Sequence, residues 1–217
     1  VGAPQARLSE MASVWAETHH VAVVTCFPNH PRGVIPAPYR EPYSRKRYMQ
    51  EVLDGIRVHR CWSYVTPNRG FLKKVVGHLS FMVTSVLQAG TVARKADVLL
   101  VSSPTFFSII SAWWLSKRHS VPYVLEVRDL WPAIFVELGV LRNRTLIRIL
   151  EQFELFLYRS AAAVVPVTQR FSDNITARGI SPEKVKVITN GVNLGMFYPR
   201  APHQALKTEH GLENRFV

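Results

Sequence analysis

Cysteine and acidic side chains are what this 217-residue sequence has least of. Its two cysteines, Cys26 and Cys61, are too few for a disulfide framework and show no metal-ligand spacing. That excludes a disulfide-stapled scaffold and a zinc ribbon, predicts no metal ligands, and fits a reduced, cytoplasmic setting. Only 15 Asp and Glu stand against 27 Lys and Arg, a net charge of +12. The imbalance is uneven, with ten Lys or Arg against three Asp or Glu between His30 and Lys74. Such a face attracts anions: phospholipid, nucleotide phosphate or nucleic acid. Nucleic acid is set aside as a partner, because no recognition-helix, zinc-finger or RNP pattern accompanies the charge. The first twenty residues lack the apolar stretch of a signal peptide. From Val75 to Ala93 no residue carries a formal charge, yet His78, Ser80, Thr84, Ser85, Gln88 and Thr91 interrupt the run. That many polar groups exclude a lipid-facing span and predict a core helix. The alternative is an interfacial helix, with Arg69, Lys73 and Lys74 at one end. No internal repeat or low-complexity run is present. A chain with 47% apolar and 19% charged residues is globular, and long enough for one large domain or two small ones.

Periodicity places the elements. Leu8, Met11, Ala12 and Trp15 recur on one face and predict a helix from about Gln5 to Thr18. His20 to Thr25 is apolar and β-branched enough to predict a buried strand. A doubly wound domain normally opens on a strand, so a first strand is expected to be missing ahead of Val1. Five prolines between Cys26 and Ser44 (28, 31, 36, 38 and 42) predict a long irregular excursion. Arg47–Val52 and Ile56–Trp62 flank Asp54-Gly55, a pair typical of tight hairpin turns. A helix is expected over Phe71–Ala93, a strand over Asp97–Ser103 and a helix over Thr105–Arg118. The stretch Val121–Pro132 reads as a buried strand whose end delivers Glu126, Arg128, Asp129 and Trp131. In Arg144–Ser160 an apolar face of Leu146, Ile149, Leu150, Phe153 and Leu157 predicts an amphipathic helix. A strand (Ala162–Val167), a short helix (Thr168–Arg178) and a last strand (Val185–Ile188) follow, before Asn190-Gly191 turns the chain. Strands alternating with helices predict an α/β fold, a Rossmann-like parallel sheet with helices on both faces. In such sheets ligands bind in the crevice at the strands' carboxyl ends.

With these elements placed, the chain resembles the amino-terminal domain of family 4 glycosyltransferases of the GT-B fold. Within them it is most similar to the bacterial surface-polysaccharide N-acetyl-L-fucosamine transferases, the WbuB-like group. The resemblance covers essentially the whole chain. It rests on GAPQAR (Gly2–Arg7), HHVAVVTCFPNHPRG (His19–Gly33), LDGIRVHR (Leu53–Arg60), SSP (Ser102–Pro104), EVRDLWP (Glu126–Pro132) and VITNGVNLGMFYP (Val187–Pro199). Each motif is weak alone; their order and spacing together are specific. The sequence departs from the pattern at His19-His20, where the family usually has Gly-His. LENRFV (Leu212–Val217) looks like the opening strand of a second domain, cut short. The resemblance therefore implies an acceptor-side domain over 1–198 and a linker with the start of a donor-binding domain over 199–217. It implies retaining, metal-independent transfer from a UDP- or GDP-linked sugar, with no cofactor, to a lipid-linked or glycan acceptor. The chain alone is expected to be inactive. A GT-B-fold sugar-nucleotide epimerase, or a non-catalytic basic module binding anionic lipid or polymer, are the other readings.

The candidate site follows from strand ends and from that resemblance. Asp129, beside Arg128, is the candidate catalytic residue, accepting a hydrogen bond from the acceptor hydroxyl. Arg128 would neutralise phosphate charge, and Glu126, two residues back, shares its strand face. Gly2 and Arg7 lie where free backbone N–H groups and a helix dipole favour phosphate. Ser102 and Ser103 could bind a sugar or phosphate, Trp131 belongs to the same cluster, Thr168 would line the cleft, and Asn190 and Gly191 would act as hinge. Simpler readings stand beside these. Gly2 could be a plain turn, Ser103 and Asp129 helix caps, Arg128 and Asp129 a mutual ion pair, and Thr168 and Asn190-Gly191 ordinary turn residues. The basic stretch 32–74 fits an anionic membrane surface, placing the protein peripherally on the inner face of the plasma membrane. A solvated basic face is the plainer alternative.

Overall fold

A computed structural model describes residues 3–29, 33–46, 48–66, 71–103, 106–192, 194–195, 198–199, 204–212 and 215. The chain enters through helix α1 (Ala3–Ala16) and passes into strand β1 (Ala22–Cys26). After the proline-rich stretch, with its short helix α2 (Arg40–Ser44), comes the hairpin β2 (Met49–Leu53) and β3 (Ile56–Cys61). Helices α3 (Phe71–Gln88) and α4 (Gly90–Arg94) lead to strand β4 (Leu99–Ser102), helix α5 (Phe106–His119) and strand β5 (Tyr123–Val127). Then follow α6 (Ala133–Glu137), α7 (Arg144–Ser160), β6 (Ala163–Pro166), α8 (Gln169–Ala177) and α9 (Gln204–Glu209).

Among the described residues the six strands form two three-stranded sheets, in orders β1-β3-β2 and β4-β5-β6. In the first, β1 and β3 are parallel and β2 is antiparallel to β3, so the expected hairpin is present. Its two-residue turn puts both Asp54 (φ 50°) and Gly55 (φ 79°) in the left-handed region, the geometry that an Asp-Gly pair tolerates. The second sheet is wholly parallel, and β5 is its centre. Side chains alternate across a strand. On one face of β5, Tyr123, Leu125 and Val127 are fully buried in a core with Phe106 and Ile109 of α5 and Leu157 and Tyr158 of α7. On the other face Glu126 meets Arg7 of α1. Helices therefore cover both faces, as expected of this fold class.

Local chemistry sets several boundaries. Asn143 accepts a hydrogen bond from the Leu146 N–H at 3.0 Å and opens α7; Thr168 does the same for α8 through the Phe171 N–H at 3.2 Å. The continuous helix expected over Phe71–Ala93 is interrupted at Ala89, where α4 begins. The strand expected over Val185–Ile188 is reduced to a bridge beside β6, with Lys186 and Ile188 N–H groups donating to Val164 and Pro166 carbonyls.

Three burial expectations are corrected. Strand β1 is only half-buried, with Ala22 and Val24 exposed. On α7, Leu146 and Ile149 face solvent, and the buried positions are Glu154, Leu155, Leu157 and Tyr158. Helix α3 is not the core helix expected. Leu72, Val76, Leu79, Val83 and Leu87 are exposed, while Ser80, Phe81, Met82, Thr84 and Ser85 turn inward. Periodicity identifies a face, and neighbours decide which way that face turns.

Candidate active site

The carboxyl end of β5 is the focus of the site. Ser102 at the end of β4 pairs with Glu126 in register, and Ser103 follows one residue further. The Ser103 hydroxyl is buried and accepts from two backbone N–H groups, Arg128 at 2.7 Å and Asp129 at 3.3 Å. One side chain thus fixes the turn that carries Arg128 and Asp129 beside the neighbouring strand. The Ser103 oxygen is thereby engaged by the β5 turn.

Glu126 is 1% exposed and surrounded by donors. Arg7 Nε and Nη2 both donate to its Oε1, at 2.9 and 2.7 Å, and the Ser102 hydroxyl donates to Oε2 at 2.6 Å. Arg7 Nη1 also reaches the Thr189 carbonyl at 3.3 Å. The network ties α1, β4, β5 and the segment before Asn190 into one charge-balanced unit. Arg7, Glu126 and Ser102 are brought together as strand-end residues, with their polar groups directed at each other.

Arg128 and Asp129 are partly exposed, and neither side chain takes part in a hydrogen bond or ion pair among the described residues. The mutual ion pair is therefore absent. Asp129 does not cap the following helix either, because the residue before α6 is Pro132 and no side-chain cap bond is made there. The geometry leaves one cation and one carboxylate at a parallel strand's tip with their backbone clamped and their functional ends free.

The Trp131 ring packs inward. Its ring stacks on Phe106 with centroids 5.4 Å apart and lies 4.4 Å from Phe135, so the expected cleft residue packs into the core edge. Thr168 stands at the end of β6 with its hydroxyl engaged as the α8 cap, the ordinary role. Asn190 and Gly191 are exposed, but neither has the positive φ of an Asn-Gly turn, and both lie outside regular structure. Gly2 lies outside the described residues, as do Arg32, Arg47 and Arg69 of the basic stretch and most of Leu212–Val217. Within that basic stretch, Arg60 is buried against Glu51 and Arg45 pairs with Glu41, while Lys73 and Lys74 are exposed. Among the described residues no cluster of His, Cys, Asp or Glu could hold a metal ion.

A second buried carboxylate escaped sequence reasoning. Glu154 of α7 is contacted by Arg178 Nη2 at 2.6 Å and accepts from Tyr158 Oη at 2.7 Å. Burial raises its carboxyl above the usual range, a shift opposed by the Tyr158 and Arg178 contacts. With Ser103, Asp129 and Trp131 it lines a small hollow beneath the β5 turn. The signal was there to read: a charged residue inside the apolar run Phe153–Leu157 has to find a buried partner.

The parallel sheet flanked by helices matches in fold the amino-terminal half of GT-B glycosyltransferases. Residues 2–191 match the family model of the Glycosyl transferase 4-like domain, and the chain belongs to that family. Its fold is similar to Anabaena HepE, solved in complex with UDP-glucose, with a TM-score of 0.51 at 16% identity over 90% of this chain and 51% of that one. The HepE complex with UDP gives 0.54 at 17%, over 98% and 48%. Sucrose-phosphate synthase from Thermosynechococcus elongatus gives 0.62 at 14%, over 98% and 48%. This chain therefore spans about half the length of those proteins, and the likeness at such identities is one of fold. No curated protein matches significantly.

Proposed function

We propose that this chain is the acceptor-side domain of a retaining, metal-independent hexosyltransferase, passing sugar from a UDP- or GDP-linked donor to a lipid-linked precursor of a bacterial surface polysaccharide. Residues 1–198 would form the acceptor-side domain, and 199–217 the linker and the start of a donor-binding domain. The observation that carries the reading is the free Arg128–Asp129 pair at the tip of β5, its backbone held by Ser103. Asp129 would accept the hydrogen bond of the incoming acceptor hydroxyl, orienting its oxygen for attack. Arg128 would stabilise charge on the diphosphate. Glu126 and Arg7 would hold the strand end rigid behind them, and Thr168 with Asn190-Gly191 would border the cleft. Family membership supports glycosyl transfer, and the UDP complexes of HepE support a nucleotide-sugar donor. The basic composition supports a peripheral position on the anionic inner leaflet of the plasma membrane. Because the chain spans half the length of its structural neighbours, we expect it to be inactive alone, and the test belongs to the intact protein.

In the intact protein, transfer of labelled sugar from UDP- and GDP-sugars to extracted lipid acceptor should fall about 10²- to 10⁴-fold in kcat for Asp129→Asn. Arg128→Met should chiefly weaken donor use. An Asp129→Asn enzyme with unchanged kcat, or a product of inverted anomeric configuration, would overturn the assignment.

A further inference from the structure

Helix α3 turns Ser80, Thr84, Ser85 and Gln88 toward the protein, beside the half-buried Phe81, Met82 and Val86. Ser80 accepts from the Tyr64 N–H at 2.7 Å, Gln88 accepts from the Trp62 N–H at 3.3 Å, Thr84 donates to the Trp62 carbonyl, and Ser85 donates to Ser111 of α5 at 3.0 Å. Gly77 lies on the same side, where a Cβ would stand 2.8 Å from the Tyr64 carbonyl. The opposite side carries Leu72, Val76, Leu79, Val83 and Leu87, between 38% and 76% exposed. At 3.6 residues per turn these five fall within about 80° of arc and extend about 22 Å along the helix. Polar groups are thus consumed inside while a continuous leucine and valine stripe faces outward, a pattern that a water-facing helix does not have.

We propose that this stripe lies in the surface of an anionic bilayer, with α3 parallel to the membrane plane. The proposal deepens the membrane reading given above and rests on it, naming the surface that makes contact. No helix among the described residues is long and apolar enough to cross a membrane, which leaves the in-plane arrangement. Charge selects lipid over a second copy of the chain. Lys73 borders the stripe at its amino-terminal end, with Lys74 next to it on the far side of the helix, and no acidic residue occurs between Asp54 and Asp97. A symmetric pairing of α3 helices would bring no carboxylate of its own to these lysines, whereas anionic head groups neutralise them. The apolar side chains would enter the head-group boundary and Lys73 would remain among the phosphates.

Co-sedimentation of the full chain with vesicles of phosphatidylglycerol and phosphatidylcholine tests this at low and high salt. Leu72→Ser/Leu87→Ser should weaken partition by about tenfold or more per leucine, the scale of losing a buried leucine side chain. Lys73→Gln/Lys74→Gln should weaken it only at low salt and only with phosphatidylglycerol. Both variants should melt within about 1 °C of the parent without vesicles, since they change exposed positions. Serine variants that bind anionic vesicles as the parent does would overturn the α3 assignment and leave the basic-surface reading standing. Binding that ignores phosphatidylglycerol and salt would defeat the basic-surface reading itself. A serine variant that melts much lower without vesicles, or that changes the sedimenting mass of the protein, would show that protein covers the stripe and would also overturn the proposal.

Discussion

Removing the Arg7 guanidinium is the sharpest perturbation of the strand-end network. Arg7 donates twice to Glu126 Oε1, and Glu126 has no access to water with which to replace those bonds. In Arg7→Met the aliphatic stem stays, so packing changes little and the loss is electrostatic. The buried carboxylate is left with the Ser102 hydroxyl at 2.6 Å. Breaking a buried pair by deleting one partner costs about 3–5 kcal/mol, because the survivor remains desolvated and uncompensated. For a domain of this size that corresponds to a fall of about 6–20 °C in melting temperature. The double variant Arg7→Met/Glu126→Gln removes the stranded charge while its side-chain carbonyl still accepts from Ser102. It should therefore be at least about 2 kcal/mol more stable than the sum of the two single losses. Urea unfolding followed by tryptophan fluorescence, with equal m-values across the set, measures each corner of the cycle. An Arg7→Met loss below about 1 kcal/mol, or additivity in the double variant, would refute a buried and interdependent pair.

Further expectations concern groups away from the strand-end pair. Burial raises the Glu154 carboxyl above its usual 4.5, so its contribution to stability is fullest below that pH and declines as pH rises through the folded value. Glu154→Gln lacks this slope, and its deficit in urea midpoint should shrink from pH 4 to pH 8; a deficit that grows would contradict the sign. Gly77→Ala places a Cβ 2.8 Å from the Tyr64 carbonyl and should cost about 1–3 kcal/mol in urea unfolding, whereas no measurable change would show that the 62–66 segment moves freely. Burial pushes the Cys61 thiol up to about 12 and raises Cys26 as well, so at pH 8 about one Cys61 in ten thousand is thiolate. A disulfide reagent should find both thiols slow in the native protein and two equivalents reactive in denaturant; a fast native thiol would refute this.

The alternation of strands and helices, the Asp54-Gly55 hairpin and the placement of Arg128 and Asp129 at a strand's end were all legible in the sequence. Each is written in contiguous residues: a period of two or of 3.6, or a turn pair whose backbone preference is local. What the sequence could not show was which groups would meet. Arg7 lies 119 residues from Glu126, and Arg178 reaches Glu154 from just beyond the end of α8. Glu126, Ser102 and Ser103, candidate ligands in the sequence, hold the strand end together through such distant contacts, and the Trp131 ring packs on Phe106. Periodicity on α3 and α7 showed that apolar side chains share a face but not what lies opposite it. On α3 the serines, Thr84 and Gln88 find partners in the 62–66 segment and α5, and that turns the leucines outward. Local pattern fixes the kind of element because backbone geometry is local; the pairing of buried charges and the outward face of a helix belong to tertiary structure, because both depend on what the rest of the chain places against them.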